Sequence, residues 1–445
     1  MKNSRRDFLK KAGLGSAAIT LGGAATGFSA KSYSRIIGAN NRLRIAHVGV
    51  NSRGDELARV FGKQKDTEII YICDVDERAI TKTIATVTSA NQPVPKGEKD
   101  FRNVLTDKSL DAIVIATPDH WHAPATILAC QAGKHVYCEK PLSHNPNEGE
   151  LAVQAARKYN RIVQLGTQRR SSPADIEGIQ ELKNGVIGRV YFGKAWYNRA
   201  RTSIGFGKEA PVPAWLDYDL WQGPAPRRAF KDNVIHYNWH WFWHWGTGEA
   251  LNNGTHEMDV IRWGLGTDFP IRVSSLGGRY AFKDDWETPD SQAIIFDFPN
   301  NTSAVWQGFS CNGKYEVGSL FYGEKGSMEI KTDGYTILDQ EGKIVKQVKK
   351  EDLMFTAPTT VTSGPVQDEL HVANFLESIR DNKQPNADVE IGHKSTLLVQ
   401  LGNISYRVGR TLNIDPKNGH ILGDPEAQRL WSRDYEKGWE PVLPV

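Results

Sequence analysis

Leu43-Arg44-Ile45-Ala46-His47-Val48-Gly49-Val50-Asn51-Ser52-Arg53-Gly54 is the stretch that decides how this chain reads. An apolar run of strand length ends at a glycine, four residues follow, and a second glycine opens a helical pattern to about Gly62. Gly49 permits a tight turn, and the start of a helix offers free backbone amides to a pyrophosphate. A G-x-x-x-x-G turn also occurs as a plain connection, and Asn51 stands where the usual fingerprint has its second glycine. The weight comes from Asp74, 25 residues after Gly49, at the end of the next apolar run Glu68-Ile69-Ile70-Tyr71-Ile72-Cys73-Asp74. A carboxylate there accepts ribose hydroxyls and repels a 2′-phosphate. The reading is a dinucleotide site built from Gly49, Asn51, Arg53, Gly54 and Asp74, with NAD as cofactor. Arg53 keeps NADP open as the alternative.

Working outward, helical and strand patterns alternate. Helices are expected at 77–89, 124–132 (ending at Gly133) and 147–159, and strands at 112–116, 135–138 and 162–166. That alternation predicts right-handed βαβ crossovers and a doubly wound parallel sheet over residues 41–170. The texture changes near residue 170. Segments 189–196, 271–277, 293–298, 302–308, 326–330 and 335–338 alternate as half-exposed antiparallel strands do. Helical patterns at 367–381 and 393–411 precede an aromatic tail. Residues 171–445 therefore read as an α+β domain with an open, largely antiparallel sheet, and the fold class as α/β.

Composition agrees with two globular domains. The 445 residues are 39% hydrophobic and 24% charged, which excludes a disordered or fibrous chain. The net charge is +3, but Lys2, Arg5, Arg6, Lys10 and Lys11 against Asp7 put +4 in the first eleven residues. The remaining body is close to neutral, which argues against nucleic acid as a partner. Ser4-Arg5-Arg6-Asp7-Phe8-Leu9-Lys10, followed by a Gly/Ala-rich run, reads as a twin-arginine export signal over residues 1–30. A basic anchor helix is the alternative, but the five glycines from Gly13 to Gly27 make a poor membrane span. The expectation is an exported, periplasmic protein handled by the Tat translocase. Cys73, Cys130, Cys138 and Cys311 show no paired spacing, and three sit in apolar or helical segments as small hydrophobes do.

Two further motifs stand at carboxyl ends of the expected parallel strands, where open α/β sheets bind ligands. They are Thr117-Pro118-Asp119-His120-Trp121-His122 and Cys138-Glu139-Lys140-Pro141. With these the sequence resembles the glucose-fructose oxidoreductase / inositol dehydrogenase / rhizopine catabolism (Gfo/Idh/MocA) family over essentially everything after residue 41. The resemblance implies a Rossmann domain joined to an α/β domain whose sheet forms an oligomer interface. It also implies nicotinamide-dependent oxidation or reduction of a sugar or cyclitol hydroxyl. Thr117, Pro118, His122 and Glu139 then belong to the cofactor site. Lys140 matches the lysine that hydrogen-bonds the reacting hydroxyl and stabilises developing alkoxide. The plain alternative is a surface lysine in a Glu-Lys-Pro turn.

The second half supplies Asn252-Asn253-Gly254-Thr255-His256-Glu257-Met258-Asp259, against a family pattern of Asp-x-Gly-x-His-x-x-Asp. His256 matches the catalytic histidine, and Asp259 at i+3 binds substrate or orients it. The family's first Asp is Asn252 here, so either Asp259 or Glu249 takes its place or the chemistry departs from the dehydrogenase type. Residues 196–245 hold seven of the 13 Trp, with His236, His240 and His244 spaced by four. Tryptophans at every second position suit an extended or irregular loop, so no metal site is expected. The segment, Trp243 included, is a candidate carbohydrate platform whose aromatic faces stack on sugar C–H surfaces and whose His tips bond hydroxyls, and a packed core or oligomer interface is the equal alternative. Gln168, Arg169 and Asn252 complete the expected substrate set.

The leading expectation is an NAD-dependent oxidoreductase of a sugar, glycoside or cyclitol secondary alcohol. Its cofactor is held tightly, because free NAD is scarce outside the cytoplasm. The rival is an exported glycosidase working by transient C3 oxidation and elimination. A non-catalytic carbohydrate-binding protein is the third reading.

Overall fold

The computed structural model describes residues 42–314, 316–349 and 366–443; the expected export signal lies outside the described residues. Six strands, β1 (Leu43–Val48), β2 (Thr67–Cys73), β3 (Lys96–Glu98), β4 (Ala112–Ile115), β5 (His135–Cys138) and β6 (Val163–Leu165), form one sheet in the order β3-β2-β1-β4-β5-β6. Every pairing in it is parallel. The crossovers carry helices α1 (Arg53–Gly62), α2 (Glu77–Ser89), α3 (Phe101–Leu105), α4 (Asp119–Gln131) and α5 (Pro146–Lys158). Helices on both faces explain why β4 is buried along its whole length and reads as a continuous apolar run. Strand order reverses between β1 and β4, which opens a crevice at their carboxyl ends.

Two local readings change. Helix α4 begins at Asp119, not at Pro124, so the proline lies inside it. A proline there leaves the carbonyl of His120 without its helical donor. Arg433 from the tail supplies one, its Nη2 lying 2.8 Å from that oxygen. Strand β3, Lys-Gly-Glu, was not foreseen, because a short edge strand held by backbone bonds to β2 has no apolar signature.

The second sheet has ten strands: β7 (Val190–Asn198), β8 (Arg272–Gly278), β9 (Ser291–Phe298), β10 (Thr302–Phe309), β11 (Glu316–Gly323), β12 (Gly326–Lys331), β13 (Gly334–Leu338), β14 (Ile344–Lys349), β15 (Leu412–Ile414) and β16 (Ile421–Leu422). Their order is β14-β13-β12-β11-β7-β10-β9-β8-β15-β16, and of the pairings described only β7 with β10 is parallel. The remaining helices are α6 (Pro173–Lys183), α7 (Tyr218–Gln222), α8 (Gly248–Asn252), α9 (Gly254–Leu265), α10 (Val366–Asp381), α11 (Val389–Val408) and α12 (Pro425–Gln428). Ile179 and Leu182 of α6, Met258 and Ile261 of α9, and Leu397 and Leu401 of α11 pack against Phe296, Trp306 and Phe321 on one sheet face. The other face leaves Leu276, Ile295, Phe309 and Tyr322 exposed. Helix α11 starts four residues before the expected 393, because the Asp388 side chain caps it by accepting from Glu390 N. No helix among the described residues is long and apolar enough to cross a membrane.

Helix α10 crosses the expected boundary at residue 171. Its Val372, Phe375 and Leu376 join Leu57, Phe61 and Tyr137 in the core of the parallel sheet. Phe375 is fully buried and meets the rings of Phe61 and Tyr137 edge-on. Phe375→Ala is expected to destabilise the chain by about 3–5 kcal/mol, read by urea unfolding of the NAD-free protein.

Candidate active site

The crevice at the switch point is a cavity of about 530 Å³, and both halves of the chain line it. On the β1 side Gly49 adopts φ +78°, and a Cβ there would lie 2.6 Å from Thr117 N. A Cβ on Gly54 would lie 1.9 Å from Gly49 O, so Gly54 backs the turn without itself lining the cavity. The turn thus brings the amino end of α1, whose first amides have no helical acceptor, to the crevice. Asp74 closes β2, and its carboxylate accepts from Val50 N (2.6 Å) and Asp76 N (2.9 Å). Burial raises its pKa above the ordinary carboxylate value. A carboxylate oxygen has more than one lone pair, so acceptor capacity remains for ribose hydroxyls. Thr117 Oγ1 is buried beside the crevice with no partner. These residues fit NAD. Asp74→Ala is expected to weaken NAD binding roughly 10- to 100-fold and to narrow the preference over NADP, measured by fluorescence titration of both nucleotides.

Arg53 does not stand ready for a 2′-phosphate. Its Nε donates to Glu139 Oε1 (2.9 Å), its Nη1 to Glu56 (3.1 Å) and its fork to Asp368 of α10 (2.8 and 2.6 Å). Three carboxylates claim the guanidinium, and two of them come from sequence too distant for the turn motif to reveal.

A segment between β7 and α8 is fastened over the end of β2. Glu77 N donates to Trp215 O (3.2 Å) and Asp217 N to Val75 O (3.0 Å). Arg78 lies 3.4 Å over the Trp215 ring, and His236 Nε2 is 2.9 Å from Asp76 Oδ2.

At the other end of the cavity Lys140 Nζ donates to Asn252 O (2.5 Å) and Asn252 Oδ1 (3.1 Å). Burial lowers its pKa, against the opposing charges of Glu139, Asp119 and Glu249. His256, near the start of α9, lines the same space. Burial holds it well below the ordinary imidazole value, and Lys140 and Arg53 push it the same way. It is therefore neutral at neutral pH and able to accept a proton. Glu139 also accepts from Gln168 Nε2 (3.3 Å). His122 sits between two carbonyls, Nδ1 2.6 Å from Pro141 O and Nε2 2.8 Å from Thr117 O. Asn51, Pro118, Gln168 and Asn252 reach the cavity as well.

Besides Gly54, three expected residues do not. Asp259 receives Arg170 Nε (2.7 Å), Arg170 Nη2 (2.8 Å) and Ser395 Oγ (2.6 Å) and is 1% exposed. A step of three residues turns it about 60° from His256 around the helix, toward the buried guanidinium that needs it. Arg169 donates Nε to Asp175 (2.8 Å) and Nη1 to Glu257 (2.7 Å), away from the cavity. Trp243 lines a different cavity, with Arg407 over its ring.

The Trp/His segment is an irregular loop and not an extended run, with residues 238–241 forming one 3₁₀ turn. His236 meets Asp76, His240 Nδ1 lies 2.6 Å from Tyr237 O, and His244 Nε2 lies 2.7 Å from Pro226 O. The three share no face.

The sequence marks the Trp-rich segment as a possible platform, but only the fold shows which rings face the cavity. Trp121, Trp221, Tyr237, Trp239 and His240 make an aromatic wall. Asp119, which has no signal of its own within the 117–122 motif, is 3% exposed and accepts from Thr247 Oγ1 (2.5 Å), and burial raises its pKa. Behind Asn252, buried Glu249 takes Arg201 Nε (3.0 Å) and Asn252 Nδ2 (3.4 Å). That contact turns the Asn252 amide oxygen toward Lys140.

Comparison with known proteins agrees with this architecture. Models of the Gfo/Idh/MocA oxidoreductase family match twice: the NAD-binding Rossmann fold over residues 43–167, and the C-terminal alpha/beta domain over residues 191–441. A glycosyl hydrolase family 109 protein of Parabacteroides distasonis is 33% identical over 283 residues, 59% of each chain. One from Saccharopolyspora erythraea is 28% identical over 253 residues, 52% of this chain and 55% of that protein. The chain thus spans about half the length of the curated relatives it matches. Among solved structures, levoglucosan dehydrogenase in complex with NADH and levoglucosan has a TM-score of 0.67 at 16% identity, covering 84% of this chain and 99% of that one. The aldose-aldose oxidoreductase of Caulobacter crescentus complexed with glycerol has 0.64 at 17% identity, covering 84% and 100%. At these identities the structural likeness is one of fold.

Proposed function

The chain belongs to the Gfo/Idh/MocA oxidoreductase family, and from that premise we propose that it oxidises or reduces a secondary hydroxyl of a sugar, glycoside or cyclitol. The observation that carries the reading is that Lys140 and His256 face one cavity with Gly49 and Asp74. NAD, when bound, supplies the hydride acceptor. Lys140 Nζ bonds the reacting oxygen and stabilises negative charge as it develops there. His256, neutral at working pH, takes the hydroxyl proton. Asn252 holds the ammonium through two oxygens without adding a charge, which leaves its cation free for the substrate oxygen. Trp121, Trp221, Tyr237 and Trp239 offer aromatic surface to the C–H face of a sugar ring.

The proposal extends to the setting. The twin arginines at Arg5 and Arg6 direct export through the Tat translocase, and the protein works in the periplasm. The segment fastened by Trp215 and His236 keeps the cofactor from leaving. Copies associate through the exposed sheet face around Leu276 and Ile295.

A second reading is favoured by the family 109 relatives: a glycosidase that oxidises C3, eliminates the glycoside, adds water and returns the hydride, with no net redox change. The test offers purified NAD-loaded protein a panel of free sugars and aryl glycosides. A keto product with equimolar NADH supports the dehydrogenase. Aglycone release without net NADH moves the assignment to the second reading, and neither product from any substrate overturns both.

A further inference from the structure

A second cavity, of about 450 Å³, opens between the amino end of α5, helix α11 and the tail after α12. Arg407, Arg429 and Arg433 all line it. Among the described residues neither Arg407 nor Arg429 has an ion-pair partner, although Arg407 lies 5.2 Å over the ring of Trp243. Arg433 spends Nη2 on Glu148 and on His120 O, both at 2.8 Å, and its Nη1 has no partner.

Two wall residues keep spare acceptors. His144 Nε2 is 3.0 Å from Trp243 O, which can only accept, so the ring proton sits there and Nδ1 is bare. Burial keeps this imidazole neutral. Gln400 is 3% exposed; its amide donates to Ser143 O (2.9 Å) and Oγ (3.1 Å), and its Oε1 is unpartnered. Buried polar groups are nearly always paired, so three orphans in the wall of one cavity point to something that completes them. The nearby carboxylates are partly committed. Glu148 is held by Arg433 and the Tyr435 hydroxyl, and Glu287 takes Trp243 N (2.8 Å), leaving Asp434.

We propose that this cavity is a second binding site, for a sugar bearing an anionic group such as a carboxylate. Arg407 and Arg429 take the anion as guanidiniums do. Gln400 and His144 complete the polar wall that faces the hydroxyls, and Trp243 flanks the ring. Thr247 of this cavity connects it to the reaction cavity: it donates to Asp119, which lines that one (2.5 Å), and its carbonyl accepts from Asn403 Nδ2 (2.8 Å) on this side. The acidic sugar is either the neighbour of the reacting unit in one glycan or a free ligand.

The test is calorimetric titration of the NAD-loaded full chain with glucuronate, glucose and inorganic sulfate. Glucuronate is expected to bind at least tenfold more tightly than either of the others. Arg407→Gln with Arg429→Gln, both exposed side chains, should lower its affinity at least tenfold at unchanged melting temperature and nucleotide content. Lys140→Met should leave it unaltered, and since the readout is binding, failure of the proposed redox chemistry would not touch the result. Equal binding of glucose, equal binding of sulfate, or glucuronate affinity that survives the double substitution overturns the site. A glucuronate-containing disaccharide separates the sources. Affinity above the monosaccharide that drops in Lys140→Met upholds the site as part of a glycan cleft, and equal affinity upholds it for a free acidic sugar.

Discussion

Lys140→Met is expected to lower kcat by about 10³-fold, or roughly 4 kcal/mol in the barrier, while bound NAD stays at the native level. Methionine keeps the length and apolar stem, so the cavity is not reshaped, but the cation that meets the reacting oxygen is gone. Nothing of the nucleotide site on the β1 and β2 side depends on Nζ, whose hydrogen bonds go to Asn252. The expected signature is therefore a loss in kcat with little change in nucleotide content, read by single-turnover NADH formation and by mass spectrometry of the released cofactor. Turnover within tenfold of the native enzyme would remove Lys140 from the chemistry and return it to a buried structural lysine.

His256→Gln should cost about 10²- to 10³-fold in kcat/KM, within the range a positioned base contributes. The pH dependence makes the assignment sharper. Burial and the charges of Lys140 and Arg53 depress the histidine, so its base form prevails from well below pH 6.5 upward. The acid limb of kcat/KM for the native enzyme is then expected well below pH 6.5 and absent in the variant. An acid limb at pH 6.5 that persists in His256→Gln would belong to another group and sink this role. Asp259 is no substitute base, since it lies outside the cavity and Arg170, held against its carboxylate, lowers its proton affinity.

Some of this was legible before any coordinates. The parallel sheet follows from local pattern: Ala112-Ile113-Val114-Ile115, set in an alternation of helices and strands, reads as a strand buried on both faces, and Gly49 as a turn. Lys140 and His256 were found by motif, and the fold gathers them in one cavity with Asp74. Arg169, Asp259 and Trp243 mark the limit. Each has the chemistry of a substrate ligand, but a buried Arg must find a carboxylate and a buried Asp a cation. The partners that claim them, Glu257, Arg170 and Arg407, were not identifiable by spacing alone.

Sequence by itself determined the strand–helix alternation of the first half, the turn that presents α1 and the residue types able to carry hydride chemistry, because these depend on neighbours a few positions apart. Tertiary structure alone decided which charges are free. It paired Arg53 with Asp368, 315 residues away, turned Asn252 on Glu249 toward Lys140, and left Arg407 and Arg429 without an ion-pair partner among the described residues. The physical reason is that desolvation makes every buried charge seek a partner, and the nearest one in space is seldom the nearest in sequence.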